Sequence, residues 1–166
     1  ALIAGCLLLP GCILGACIAP VSGRLLDRFG AKRPILTGVA AIMISLFCFS
    51  FFATRLTTAL FIAFYLIFTF GQGFSTGNTM TNGLRQLPEN LNADGNAVFT
   101  TLQQLAGAIG TSVVSTIVAS AQAARSDDMA LATMEGSRNA FYLLAVLAVA
   151  MMCCACGVFF GKKSRI

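Results

Sequence analysis

Histidine is absent from these 166 residues, and only six carboxylates stand beside eleven Lys and Arg. No imidazole is therefore available as a general base or as a nitrogen ligand for zinc. Cys153, Cys154 and Cys156 are spaced closely enough to share a metal, but no histidine or acid lies near them to complete a site, so none is expected. Charge of both signs is scarce, at 10% of residues against 57% hydrophobic, which argues against a globular domain dissolved in water. No nucleophile is paired with a base, and Gly71-Gln72-Gly73 is too short and too deep in an apolar run to cradle a nucleotide. Neither an enzyme nor a bound cofactor is expected. The net charge of +5 reads as membrane topology and attraction to anionic lipid, not as a nucleic-acid surface.

What the chain has instead is long apolar runs. Stretches of about 20 uncharged, mostly apolar residues cover 1–22, 34–54, 56–83, 97–124 and 139–161. In hydrocarbon every backbone N–H and C=O must find a partner within the protein, which restricts spanning structures to helices and closed barrels. Continuous runs, as opposed to alternating ones, select helices. The expected fold is an all-α integral membrane protein with five transmembrane helices. Asp27, Glu89, Asp94, Asp127, Asp128, Glu135 and every base fall between or after the runs. That is where charge belongs if burying it at the bilayer centre costs about 2.5–3.5 kcal/mol. The cysteines, Cys6, Cys12, Cys17 and Cys48 together with the later three, all lie inside apolar segments and read as small buried hydrophobes.

Orientation follows from the bases. Arg24, Arg28, Lys32, Arg33, Arg85, Lys162, Lys163 and Arg165 collect on one side, against Arg55, Arg125 and Arg138 on the other. The positive-inside rule makes the first side cytoplasmic. The loop 23–33, the loop at about 84–96 and the tail 162–166 are then cytoplasmic, and the loop at about 125–138 is external. A multi-pass plasma-membrane protein is expected. The chain opens on Ala1, and an odd number of spans starts and ends on opposite sides, so a carboxyl-terminal fragment of a longer protein is expected, one six-helix half less its first helix.

Between the first two runs lies Gly23-Arg24-Leu25-Leu26-Asp27-Arg28-Phe29-Gly30-Ala31-Lys32-Arg33. Gly23 and Gly30 permit a tight reversal and close backbone approach. Asp27 can pair with a guanidinium or a helix amino end. Arg28, Lys32 and Arg33 offer partners to acids on adjacent helices. Such a loop could dock one helix bundle on another and release it, as a conformational latch, or it could serve only as a basic topogenic turn.

Gly23, Asp27, Arg28, Gly30 and Lys32 match the G-x-x-x-D-R-x-G-x-K pattern, and by them the chain resembles the major facilitator superfamily, which carries this motif after the second helix of each half. Leu7-Leu8-Leu9-Pro10-Gly11, Ala19-Pro20-Val21-Ser22-Gly23, Leu87-Pro88-Glu89-Asn90 and Gln103-Gln104-Leu105-Ala106-Gly107-Ala108-Ile109-Gly110 are similar to the fourteen-helix drug:proton antiporters of the EmrB and QacA type. The resemblance implies multidrug efflux driven by a proton gradient. Its implied partners are amphipathic hydrophobic small molecules, membrane lipid and the missing amino-terminal helices of the same protein.

Two runs carry polar stripes. In the third, at about 100° per residue, Thr58, Phe61, Tyr65, Phe68, Thr69, Gln72, Thr76 and Thr79 share one side. Polar groups at membrane depth face a bundle interior or a water-filled cavity. Tyr65, Phe68, Thr69, Gln72 and Thr76 are therefore the expected substrate-cavity residues, with plain helix packing as the alternative. In the fourth, Gln104, Gly107 and Gly110 read as packing or hinge positions ahead of substrate contact. Pro10, with Gly11 and Gly15 at G-x-x-x-G spacing, reads equally as a hinge or as close helix contact. No acid lies inside any run, so a proton-carrying carboxylate would have to lie outside this chain. A permease for a metabolite or natural product, and a non-transporting membrane scaffold, are the competing readings.

Overall fold

A computed structural model describes residues 2–125 and 128–161. Parts of the expected first span (Ala1), of the expected external loop (Ser126, Asp127) and of the tail (162–166) lie outside the described residues. Every element within them is helical: α1 Leu2–Phe29, α2 Lys32–Phe52, α3 Thr58–Leu84, α4 Asn92–Ala124 and α5 Met129–Phe160, with single 3-10 turns at Ala53–Arg55 and Glu89–Leu91. All five α-helices are long and apolar enough to cross a membrane. At about 1.5 Å per residue, the 33 residues of α4 reach roughly 50 Å, well beyond the ~30 Å hydrocarbon core.

The helices overrun the apolar runs for a local reason. Arg24 to Phe29 contains no helix breaker, so α1 continues through seven of the eleven motif residues, Gly23 to Phe29. The reversal is confined to Gly30 and Ala31. Gly30 sits at φ 74, a left-handed conformation that favours glycine. Gly23 lies inside α1, and a Cβ there would meet nothing within 4 Å among the described residues, so it serves neither the reversal nor a close approach. Pro34 follows in the first turn of α2, where a missing N–H costs no helix bond. At the opposite end, Thr57 caps α3 by accepting from the Leu60 amide, and Asp128 caps α5 by accepting from the Leu131 amide at 3.1 Å.

Short connections make successive helices antiparallel, so the ends of α1, α3 and α5 share one face of the bundle with the starts of α2 and α4. We call this the Gly30 end. α2 packs between α3 and α5, α1 lies on α3, and α4 rests mainly on α5. The tightest crossing joins α2 and α3: a Cβ on Gly38 would sit 2.7 Å from the Gly71 carbonyl oxygen, and one on Gly71 would sit 2.6 Å from that of Gly38. Ser45 Oγ, fully buried, donates to the Phe64 carbonyl at 2.7 Å and ties the same pair of helices. Away from the Gly30 end the centre is aromatic. Phe49 stacks on Phe141 with centroids 5.0 Å apart and meets Phe64 edge-on at 5.4 Å, joining α2, α3 and α5.

α4 has no buried residue. It is pinned at two places. Near its start, Phe99 lies against Gly83. Near its end, Gly136 of α5 nestles against Val118, Gln122 Nε2 donates to Thr133 Oγ1 at 2.8 Å, and Arg125 pairs with Glu135 at 3.0 Å. Six cysteines also differ from expectation, and the Cys6 side chain lies outside what the structure describes. Cys12, Cys17, Cys153 and Cys154 are exposed, and Cys48 and Cys156 are half-buried. A thiol is compatible with apolar surroundings outside the bundle as well as inside it, so a span facing hydrocarbon need not bury it.

Candidate functional site

The polar chemistry of the bundle concentrates in the seam between α1 and α3 at the Gly30 end. Asn78 is 3% exposed in the middle of this seam, and its amide has to be satisfied locally. Nδ2 donates to Ser22 Oγ on α1 at 2.9 Å and to the Phe74 carbonyl of its own helix at 2.9 Å. Ser22 is buried as well, at 2% exposure. Nearer the end of the bundle, Arg85 Nη2 donates to Asp27 Oδ1 at 2.8 Å. A cleft of about 310 Å³ runs along the seam past both ties, lined by Ala19, Gly73 and Gly77 as well as by the four tied residues.

Asp27 is placed against the preference of its own helix. A carboxylate in the last turn of α1 faces the negative end of the helix dipole, an arrangement that costs a few tenths to 1 kcal/mol. Arg85, at the carboxyl cap of α3, sits where a cation is favoured and offsets that cost. The pair is solvent-accessible, with side chains 69% and 54% exposed, so its net worth lies in the range of about 0–1 kcal/mol. A tie of that strength can open and exchange partners.

The other motif bases fan outward. Arg28 and Arg33 both approach the Phe29 ring, at 5.5 and 5.6 Å from its centroid. Lys32 Nζ lies 3.7 Å above Phe160 of α5, so the motif touches the far side of the bundle too. Arg85, Ser22 and Asn78 were not singled out by the sequence as site residues. An asparagine in an apolar run is the signal that could have found Asn78.

The five expected cavity residues do not share one surface. Tyr65 covers Gly11, and Thr69 packs its methyl on Gly15, so the G-x-x-x-G face of α1 is joined to that part of α3. Thr69 Oγ1 donates to the Tyr65 carbonyl of its own helix at 2.9 Å. Phe68 points the other way, into the cluster of Ile42, Leu46 and Ala148. Gln72 is exposed, and Thr76 lines a groove facing α4 and α5. Gln104, Gly107 and Gly110 of α4 are exposed, and neither glycine has a described neighbour where its Cβ would be. Pro10 is exposed within an unbroken α1. Among the described residues no three metal-ligating side chains come together.

A family model described as Major Facilitator Superfamily matches residues 1–111. The lincomycin resistance proteins LmrB of Listeria monocytogenes and Bacillus subtilis are 33% and 34% identical over 98% of this chain. The chain spans 36% and 35% of their lengths. An uncharacterized MFS-type transporter of Bacillus subtilis, YhcA, is 35% identical over 70% of the chain and 22% of its own length. No solved structure matches the chain. Five membrane-length helices, the motif at the α1–α2 reversal and a family match over more than half of the sequence place the chain in the Major Facilitator Superfamily of membrane transporters.

Proposed function

We propose that the intact protein exports amphipathic, largely apolar drugs by alternating access, and that these five helices form most of its carboxyl-terminal bundle. The observation that carries this reading is the alignment of 98% of the chain with proteins named for lincomycin resistance. In this reading the Gly30 end faces the cytoplasm, in keeping with the positive-inside rule. The seam supplies the conformational latch. Asp27–Arg85 is weak and solvent-accessible enough to exchange partners as the bundles rock, while buried Ser22–Asn78 keeps α1 and α3 together throughout. Gln72, exposed on α3, contributes to the substrate path. Export is driven by a proton gradient through a carboxylate on helices outside these five, of the EmrB and QacA type, since none of the six acids lies within an apolar run.

The test is drug accumulation in cells that lack their own efflux pumps and express the full-length protein. Cells with the wild type are expected to accumulate less lincomycin, or less of another amphipathic antibiotic in a panel. Asp27→Asn is expected to reach the membrane at the same level and to lose most of the export. Unchanged accumulation of every compound with the wild type sinks drug export; full export by the variant sinks the latch alone.

A further inference from the structure

A second recess, of about 460 Å³, opens among α2, α3, α4 and α5 at the Gly30 end. Its size falls within the ~300–1,000 Å³ of small-molecule sites. Its lining recurs one turn apart along the helices: Ile35 and Val39 on α2, then Met151, Ala155 and Phe159 on α5. The recess is therefore a groove running along the helix axes for about two turns, roughly 12 Å. It reaches the outer surface of the bundle, because Val158 on its α5 wall is 62% exposed. Its α2 and α5 walls are apolar, while Ser75, Thr76, Thr79, Asn82 and Gln103 put polar groups on the α3 and α4 walls. A slot of this direction, open sideways along α5, suits a hydrocarbon chain lying against the α2 and α5 walls along the bilayer normal.

The cation at its end defines the rest of the ligand. Lys32 stands one turn before Ile35, and its Nζ rests 3.7 Å above Phe160, next to the lining residue Phe159. Among the described residues it has no carboxylate partner. An ammonium held by a ring beside the end of this groove, at the level where a helix leaves the hydrocarbon, complements a phosphate on an acyl chain. We propose that this groove binds one acyl chain of an anionic phospholipid whose headgroup is met by Lys32.

The full-length protein is reconstituted with equal phosphatidylglycerol and phosphatidylethanolamine, extracted, and examined by native mass spectrometry. The wild type is expected to retain phosphatidylglycerol preferentially. Lys32→Gln alters one exposed side chain and is expected to cut that preference about five-fold, the factor that ~1 kcal/mol per basic residue represents. Ala155→Phe fills the groove and is expected to remove both retained lipids. Thermal unfolding in detergent checks that the Ala155→Phe protein is folded. Undiminished retention in that variant overturns the proposal, because the lipid then lies elsewhere. An unchanged preference in Lys32→Gln overturns it as well, because the headgroup is then not read by Lys32. Maleimide labelling of Cys154, which lines the groove, supplies a third readout. Slow labelling with phosphatidylglycerol and fast labelling in lipid-free detergent support the proposal. Slow labelling in both means that another segment of the protein or a second copy covers the groove, and the proposal falls.

Discussion

Asn78 reaches from α3 to Ser22 on α1, a side-chain hydrogen bond of 2.9 Å between residues 56 positions apart. Both partners are almost fully buried, at 2% and 3% exposure. The amide also donates to the Phe74 carbonyl, so truncating Asn78 removes two hydrogen bonds and truncating Ser22 removes one. Asn78→Ala is expected to cost more than Ser22→Ala, about 0.6–1.7 kcal/mol at the scale of hydrogen bonds between membrane helices. The double variant should cost less than the sum of the two. Reversible unfolding of the full-length protein in detergent measures all three, and strict additivity would show that the bond is not coupled in the folded state.

Stability and transport should separate at Asp27 and Arg85. The exposed pair contributes at most about 1 kcal/mol to stability. Arg85→Gln should therefore leave the unfolding midpoint nearly unchanged while reducing drug export. Exchanging the two charges, with Asp27→Arg and Arg85→Asp together, should restore part of the export lost in either single replacement. An exchange no better than the single variants would mean that Asp27 acts through other partners.

The crossing of α2 and α3 should tolerate no added atom. A methyl on Gly71 would meet the Gly38 carbonyl oxygen and the Ile42 amide nitrogen, both backbone, and neither can turn aside. Gly71→Ala is expected to destabilise the bundle by about 1–3 kcal/mol, the range for overpacking. Gly157→Ala on α5, where a Cβ meets nothing within 4 Å, should stay within about 0.5 kcal/mol of the wild type. Chemical denaturation of both variants decides it, and equal effects would remove the crossing as a tight contact.

The number and places of the helices were legible because charge and hydrocarbon exclude each other. Each apolar run became one helix among the described residues, and the family could be read from Gly23 to Lys32. The helix ends were less legible. Hydropathy marks where the bilayer ends, whereas a helix ends only where the chain breaks it, so α1 runs on to Phe29 and turns at Gly30. Partners were not legible at all. Arg85 counted as one more base for topology until the fold brought it to Asp27, and Asn78 lies off the stripe drawn along the third run. The stripe itself failed as a single surface because α3 is surrounded: α1 takes Tyr65 and Thr69, the α2–α5 core takes Phe68, and Gln72 is left exposed.

That division of α3 separates two residues that share a stripe in the sequence. Phe68 packs on Ile42, Leu46 and Ala148, so Phe68→Ala opens a void among three helices. Lipid tails are as apolar as the ring, so the cost comes from lost packing contacts more than from transfer out of water. Gln72 is exposed, and its removal breaks no side-chain hydrogen bond among the described residues. Phe68→Ala is therefore expected to lower the unfolding temperature and to reduce export of every drug in proportion to the folded protein left. Gln72→Ala is expected to keep the unfolding temperature and to change the ranking of exported drugs. Unfolding temperatures and resistance profiles of the two full-length variants, measured side by side, test the assignment. A uniform loss of resistance in Gln72→Ala, or an altered ranking in Phe68→Ala at full stability, would reverse the roles given to the two residues.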